Sequence, residues 1–142
     1  QQYKAFNSRD GHGIRMLQDS GVQCAIITGR TSQVVLHRAG DLGIKHVMQG
    51  RRDKHPAFIE LLAKTGFEAS EVAYVGDDVI DLPVMTQVGL AIAVADAEDF
   101  VKRNSHWVTQ RPGGRGAARD ACEFIMQAQG TLEAKLTAYL HP

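Results

Sequence analysis

The stretch Val72-Ala-Tyr-Val-Gly-Asp-Asp-Val-Ile-Asp81 decides the fold, because a short apolar run ends abruptly in carboxylates. An apolar run of this length is typical of a strand that is buried on both faces. Asp77, Asp78 and Asp81 then follow in close succession. Carboxylates this close repel one another unless a cation lies between them, and oxygen ligands with retained waters suit Mg²⁺. The stretch therefore predicts a strand with a magnesium site at its carboxyl end, against the simpler alternative of a capping aspartate with solvated neighbours.

Strands and helices alternate on both sides of this stretch. Apolar runs predict further strands at residues 22–28, 46–48, 90–94 and 106–109. Helical periodicity with glycine or proline punctuation predicts helices at residues 31–42, 56–64, 82–88, 97–103, 117–129 and 131–140, and a first helix that ends near residue 21 with Asp10 as its N-cap. Such alternation implies βαβ units. The predicted class is α/β, a Rossmann-like three-layer fold in which a parallel sheet carries helices on both faces.

Polar residues follow several of the predicted strands, where ligands of parallel sheets bind. In Ile26-Ile-Thr-Gly-Arg30, the Thr28 hydroxyl and the backbone N–H groups after Gly29 can bind a phosphate oxygen. Arg30 adds charge or holds a substrate carboxylate. The alternative is a plain strand-to-helix turn with Thr31 as the N-cap.

Lys54 lies in the cationic segment Gly50-Arg-Arg-Asp-Lys-His55, directly before a predicted helix. A single segment of this kind is usually a solvated surface. Together with the polar strand ends it becomes a candidate for binding an anion.

Composition excludes several classes of function. The chain has 142 residues, 44% of them hydrophobic, which suits one domain over residues 1–142. Sixteen basic and sixteen acidic residues give a net charge of zero, which argues against nucleic acid as a partner. No apolar run is long enough to span a membrane and no signal peptide opens the chain, so we expect a cytoplasmic protein without a membrane partner. Cys24 and Cys122 lack metal-ligand spacing, so we expect reduced core thiols.

Taken together, these motifs resemble those of a known superfamily. Thr28, Lys54 and Gly76-Asp77-Asp78 with Asp81 stand in the order of the second, third and fourth motifs of the haloacid dehalogenases. Longer stretches resemble one family within it, the 3-deoxy-D-manno-octulosonate 8-phosphate phosphatases, from about Lys4 to Gln129. These stretches are Lys4-Ala-Phe-Asn-Ser-Arg-Asp-Gly-His-Gly-Ile14, Ala25-Ile-Ile-Thr-Gly-Arg30, Val72-Ala-Tyr-Val-Gly-Asp-Asp-Val-Ile-Asp-Leu-Pro-Val-Met85, Val88-Gly-Leu90, Ala93-Val-Ala-Asp-Ala97 and Gly113-Gly-Arg-Gly-Ala117.

The resemblance implies a capless, Mg²⁺-dependent phosphatase that works through an aspartyl phosphate. Its substrate would be a phosphorylated 2-keto-3-deoxy sugar acid of lipopolysaccharide synthesis. By position, Thr28 and Lys54 would bind the transferring phosphoryl group, with Gly29 and Arg30 toward the substrate. Asp77 and Asp78 would serve the metal, while Asp78 and Asp81 would hold waters or orient Lys54. The family is usually a homotetramer, in which residues 113–116 and the last helix are candidates for completing a neighbouring site.

The sequence departs from this family at its first motif. That motif is an Asp-x-Asp strand upstream of Lys4-Ala-Phe-Asn7, and its first Asp is the nucleophile; this sequence contains neither carboxylate. The strand would lie centrally, between the strands that end at Thr28 and Gly76. We therefore expect the chain to be truncated at its N-terminus and to show no turnover as it stands, since covalent catalysis needs an activated nucleophile.

Three alternatives remain open at this point. A non-catalytic binding or oligomerisation module derived from the same fold would explain the missing nucleophile. A phosphatase for a related nonulosonate 9-phosphate would use the same motifs. A nucleotide-binding Rossmann domain is the weakest alternative, because Gly11-His-Gly13 does not continue as G-x-G-x-x-G.

Overall fold

Five parallel strands alternate with helices along residues 8–141, the part of the chain that this computed structural model describes. The expectations that concern residues 1–7, including the segment Lys4–Asn7, lie outside the described residues. The strands are β1 Ala25–Ile27, β2 His46–Met48, β3 Ala73–Gly76, β4 Leu90–Ala93 and β5 Trp107–Val108. Every strand pair is parallel, which confirms the α/β class.

The helices begin and end close to the predicted positions. They are α1 Ser8–Asp19, α2 Gln33–Asp41, α3 Lys54–Thr65, α4 Leu82–Met85, α5 Asp99–Arg103, α6 Ala117–Gln129 and α7 Leu132–Thr137, with 3-10 turns at Ala69–Glu71, Val79–Asp81 and Ala138–Leu140. The predicted bounds of β2 and α6 are confirmed to the residue. The other elements are mostly shorter than predicted, because apolar runs continue into the turns that follow them. No helix in the described part of the chain is long and apolar enough to cross a membrane.

The strands form two sheets rather than one. β1 pairs with β2, and β3, β4 and β5 form the second sheet in that order. Within residues 8–141 no strand joins β1 to β3, and the facing edges of these two strands line one cavity of about 770 Å³. The sheet is therefore open at the central position that the family resemblance assigns to the first motif.

Backbone alternation shows which groups face this opening. The carbonyls of Val72 and Gly76 accept N–H groups on the β4 side, so by alternation the backbone groups of Ala73 and Val75 face the other way. In β1 the N–H of Thr28 donates to the β2 side, which fixes the same alternation. The strand residues whose backbone groups face the cavity are Ala25, Ile27, Ala73 and Val75.

Three buried clusters hold the layers together. The largest packs α3 and α4 against the second sheet, with Phe58, Val84 and Ala93 almost fully buried. Burying a side chain such as that of Phe58 contributes roughly 2–3 kcal/mol. A second cluster joins α1 to α6, and a third packs α2 against the first sheet. The helices thus close the cavity above and below while its two strand edges remain open.

Asp10 is not the N-cap that the sequence predicted. It lies in the first turn of α1, is only 3% exposed, and accepts hydrogen bonds from the N–H groups of Gly116 (3.2 Å) and Arg119 (3.0 Å). These N–H groups lie at the amino end of α6, where a carboxylate is favoured by the helix dipole. Asp10 therefore caps a helix that lies more than 100 residues away in sequence, and it ties α1 to α6.

The cysteines match the prediction of inert core thiols. Cys122 is buried and Cys24 is half-buried, and neither forms a disulfide. Burial raises the pKa of Cys24 to about 11 and that of Cys122 to about 12, so both remain protonated at neutral pH.

Candidate active site

A buried carboxylate organises the end of β3. Asp81 is 1% exposed, and its Oδ1 accepts from Lys54 Nζ (2.7 Å) and Tyr74 Oη (2.6 Å). Its Oδ2 accepts from the N–H groups of Asp77 (2.9 Å) and Asp78 (3.2 Å). Burial alone would raise the pKa of Asp81, but the donors from Lys54, Tyr74 and the backbone outweigh it and lower the pKa. Asp81 is therefore a carboxylate whose oxygens are already occupied by protein donors.

Local sequence explains how Asp81 reaches this position. A Cβ on Gly76 would lie 2.8 Å from both Asp81 Cβ and Met85 Sδ, so only glycine lets the next turn fold under the strand end. Asp78 caps that turn, because its Oδ1 accepts from the N–H of Val79 (2.6 Å). The turn then leads into α4, whose first turn contains a proline, where the missing N–H costs nothing.

Lys54 is not part of a solvated surface. It is the first residue of α3, its side chain is 13% exposed, and its ammonium pairs with Asp81. Arg51, from the same cationic segment, pairs instead with the exposed Glu60. The structure thus singles out one cation of the segment and fixes it beside the cavity. Of the two roles that the family resemblance implies for Asp81, this geometry suits the orientation of Lys54.

Asp77 lies at the rim of the same cavity, next to this ion pair. Desolvation of its carboxyl group and the negative charge of Asp81 raise its pKa, while Lys54 offsets part of the effect. A carboxylate in this situation would be stabilised by a cation. Asp78 is exposed, as Asp77 is, but it differs from Asp77 in using one carboxylate oxygen to cap its own turn.

The loop after β1 follows a strand that lines the cavity, but Thr28, Gly29 and Arg30 are not themselves among the lining residues. Thr28 is held by its backbone, since its N–H donates to Met48 O (2.9 Å) and its carbonyl accepts from Arg51 N–H (2.9 Å). Its Oγ1 accepts from the N–H of Arg30 at 3.1 Å, which leaves the hydroxyl hydrogen to donate elsewhere. Gly29 lies between them, and Arg30 is exposed.

The N-cap of α2 differs from the alternative considered for this loop. It is Ser32, whose Oγ accepts from the N–H of Val35 (3.3 Å), and not Thr31. The N–H of Ser32 donates to Gln49 Oε1 (2.7 Å), which ties the loop to the residues after β2. Residues 29–31 therefore lie outside the helix.

Sequence reasoning missed Tyr74. Tyr74 lies in β3, and its hydroxyl donates to Asp81 Oδ1, the oxygen that also accepts from Lys54. Burial and the neighbouring Asp81 raise the pKa of Tyr74, so it stays a neutral donor. A polar aromatic residue inside an otherwise aliphatic buried strand was the signal that could have identified it, because a buried phenol needs a partner.

The strand-end loops on the far side of the second sheet are also fixed by carboxylates. Asp96, which follows β4, accepts through Oδ1 from the N–H of Gly113 (2.9 Å). Asp120 accepts from the backbone N–H and the guanidinium of Arg111. Gly113 lines the cavity, so these contacts fix one part of its rim.

The carboxylates of the described residues do not form a cluster of three metal-binding side chains. Mg²⁺ commonly keeps several waters and uses only one or two protein carboxylates together with substrate phosphate. Asp77, with the neighbouring Asp78, supplies a donor set of that kind. Desolvation and the negative charge of Asp81 raise the pKa of Asp77, so a bound cation would favour its ionised form.

Comparison with known proteins gives one consistent result. The model of the haloacid dehalogenase-like hydrolases matches residues 42–119. The 3-deoxy-D-manno-octulosonate 8-phosphate phosphatase of Yersinia pestis is 51% identical over 133 residues, which is 94% of this chain and 71% of that protein. The corresponding phosphatase of Escherichia coli K12 is 48% identical with the same coverage.

Solved structures agree with the sequence relatives. A probable YrbI-family phosphatase from Pseudomonas syringae has a TM-score of 0.94 at 50% identity, covering 96% of this chain and 78% of its own. The phosphatase of Moraxella catarrhalis, crystallised with a magnesium ion, a phosphate ion and a KDO molecule, has a TM-score of 0.92 at 41% identity, with 95% and 78% covered.

Proposed function

We propose a phosphatase reaction for this chain on the premise that it belongs to the haloacid dehalogenase-like hydrolases and, among them, to the 3-deoxy-D-manno-octulosonate 8-phosphate phosphatases. By family it is a phosphoric monoester hydrolase. The proposed substrate is 3-deoxy-D-manno-octulosonate 8-phosphate, and the products are the free sugar acid and phosphate. The observation that carries the proposal is the buried Lys54–Asp81 pair beside Asp77 at the rim of the cavity.

Lys54 is proposed to bind the phosphoryl group. One N–H of its ammonium is held by Asp81 and two remain for phosphate oxygens. Phosphoryl transfer depends mainly on positioning and charge neutralisation, and a cation fixed in a partly dry site costs little reorganisation. The Thr28 hydroxyl is the proposed donor from the opposite side, with Gly29 and Arg30 toward the sugar acid.

Mg²⁺ is the proposed cofactor, and Asp77 and Asp78 are its proposed ligands. When bound, the ion would neutralise charge on the phosphoryl oxygens. Asp81 contributes indirectly, because its oxygens are already occupied by Lys54, Tyr74 and two backbone N–H groups. The magnesium ion in the Moraxella catarrhalis phosphatase supports Mg²⁺ as the cofactor.

The nucleophile is proposed to come from a strand in the open position between β1 and β3. The carboxylates that line the cavity among the described residues are Glu71, Asp77 and Asp81. Glu71 lies at the amino end of β3, where its side chain accepts from the N–H of Glu68 (2.9 Å). The Asp81 oxygens are occupied by four donors, Glu71 lies at the opposite end of β3, and Asp77 is assigned to the metal, so none of the three is the proposed nucleophile. Residues 8–141 are therefore proposed to bind phosphate without hydrolysing a phosphate ester.

The geometry of the opening supports a strand as its occupant. Its side walls are two strand edges with outward-facing backbone groups, and such edges readily pair with a further strand. Apolar residues of α1, α3 and α6 line it, including Leu17, Leu62 and Cys122. Val75 is 41% exposed although it lies inside a parallel strand, where residues are normally buried. An apolar strand of four or five residues with a carboxylate at its end would match this opening and bring the carboxylate toward Lys54.

Two peptides test the proposal. Both carry an amino-terminal lysine tail and the strand Val-Leu-Val-Val, ended by Asp in one and by Asn in the other. We expect both to bind, by isothermal titration calorimetry, and only the Asp peptide to give Mg²⁺-dependent phosphate release from 3-deoxy-D-manno-octulosonate 8-phosphate. Lys54→Met abolishes that release, and Lys64→Met, on the exposed end of the same helix, does not.

Each outcome separates one part of the proposal. Failure of both peptides to bind refutes the strand, and binding without release refutes the nucleophile and leaves the non-catalytic module. Release without any peptide refutes the proposed inactivity. Faster phosphate release from a nonulosonate 9-phosphate than from 3-deoxy-D-manno-octulosonate 8-phosphate would identify the nonulosonate 9-phosphate as the preferred substrate.

A homotetramer is the proposed assembly. Leu136, Tyr139 and Leu140 are 41%, 61% and 75% exposed at the end of the described chain, and together they form an apolar surface suited to subunit packing. Light scattering should give four times the chain mass of 15.5 kDa. Monomers at micromolar concentration would refute it.

A further inference from the structure

Two donors share one oxygen of Asp81. Tyr74 Oη lies 2.6 Å and Lys54 Nζ lies 2.7 Å from Asp81 Oδ1, while Oδ2 is held by two backbone N–H groups. The Tyr74 ring packs against the largest buried cluster, so its hydroxyl is carried by a fixed part of the fold. The carboxylate is thus fixed at both oxygens by groups other than the lysine.

Lys54 depends on such a fixed partner. Its four-carbon stem has free rotation about each bond, so holding it in one rotamer costs side-chain entropy. The lysine can be aimed only if the oxygen it binds does not move. Besides Lys54, the side chain that donates to Asp81 Oδ1 is that of Tyr74.

We infer that Tyr74 is a positioning residue that fixes the direction of the Lys54 ammonium through the shared Asp81 oxygen. The inference rests on the proposed function, in which Lys54 binds the phosphoryl group. Tyr74 is not a catalytic residue in this account, because its hydroxyl is committed to Asp81. Its loss should weaken phosphate binding while the Lys54–Asp81 contact itself can still form.

Tyr74→Phe tests this with Thr86→Val as the control, since Thr86→Val also removes one hydroxyl, and Thr86 is exposed and donates to Pro83 O (3.4 Å) rather than to a residue of the site. Inorganic phosphate binding in the presence of Mg²⁺, followed by ³¹P NMR, should weaken about three- to tenfold in Tyr74→Phe and stay unchanged in the control. A second readout uses ¹³C-labelled lysine. The side-chain resonance of Lys54 should move toward those of exposed lysines in Tyr74→Phe, while that of Lys64 stays in place.

The two readouts separate the failures. If the unchanged protein binds no phosphate, the proposed function fails, and the Lys54 resonance still tests the role of Tyr74. If phosphate binds and neither the affinity nor the Lys54 resonance differs between Tyr74→Phe and Thr86→Val, the positioning role is overturned. Far-UV circular dichroism of both variants establishes that a change does not come from unfolding.

Discussion

Asp81→Asn should destabilise the fold more than any other single-atom exchange at the site. Whichever way the amide turns, its NH₂ group faces two donors, either Lys54 and Tyr74 or the backbone N–H groups of Asp77 and Asp78. Two hydrogen bonds to a charged acceptor are lost and Lys54, 13% exposed, keeps an uncompensated charge. Breaking one partner of a buried pair costs about 3–5 kcal/mol, a large share of a typical total of about 5–15 kcal/mol.

Urea unfolding followed by circular dichroism measures this difference, with Asp78→Asn as the control. Asp78 is exposed and caps its turn, and asparagine caps as well as aspartate, so the control should lose less than about 0.5 kcal/mol. Asp81→Asn combined with Lys54→Met should recover part of the loss, because the unpaired cation is removed. If the free energies of unfolding of Asp81→Asn and Asp78→Asn differ by less than about 1 kcal/mol, the reasoning about the buried pair is wrong.

The same difference should depend on pH in a defined direction. Donors from Lys54, Tyr74 and the backbone lower the pKa of Asp81 in the folded state, against the opposing effect of burial. Its ionised form therefore contributes stability that is fully present above the unfolded pKa of about 4, and this is lost as pH falls through the folded value. The difference in the free energy of unfolding between the unchanged protein and Asp81→Asn should become smaller below about pH 4. A gap that widens there contradicts the sign of the shift.

Three further predictions concern other parts of the fold. Asp10→Ala removes both hydrogen bonds at the amino end of α6 and should cost about 2–4 kcal/mol in urea unfolding; a loss below about 0.5 kcal/mol contradicts the cap. Gly76→Ala places a methyl group 2.8 Å from Asp81 Cβ, so we expect a lower thermal midpoint and weaker phosphate binding together. Cys24 and Cys122 should react with a thiol reagent at pH 8 far more slowly in the native protein than in urea, and equal rates would contradict their burial.

Most of the fold could be predicted from local patterns in the sequence. The apolar run before Asp77 and the periodicity of α6 predicted a strand and a helix near their observed positions, because each pattern reports burial directly. The ends of the elements were less predictable. Asp10 has the position and chemistry of an N-cap for its own helix, yet it caps α6, and no local pattern reports a partner more than 100 residues away.

The candidate site was likewise only partly predictable from the sequence. Asp77 and Asp78 were visible because carboxylates in succession after a strand are unusual, but the contrast between them was not. It depends on Asp81 folding under Gly76 and binding the N–H groups of both residues. Tyr74 was invisible for a related reason, since its role exists only once the 3-10 turn brings Asp81 back beneath β3.

The open position between β1 and β3 separates the two groups of residues that form the candidate site. Asp77, Asp78 and Asp81 follow β3, while Thr28 follows β1, and these two strands do not pair with each other. α3 bridges them, since its first residue is Lys54 and its apolar side lines the cavity. A strand bound in the opening would add backbone hydrogen bonds on both edges, and each is worth about 0.5–1.5 kcal/mol. It would thereby fix the distance between Thr28 and Lys54, so the segment proposed to carry the nucleophile would also assemble the phosphate site that it attacks.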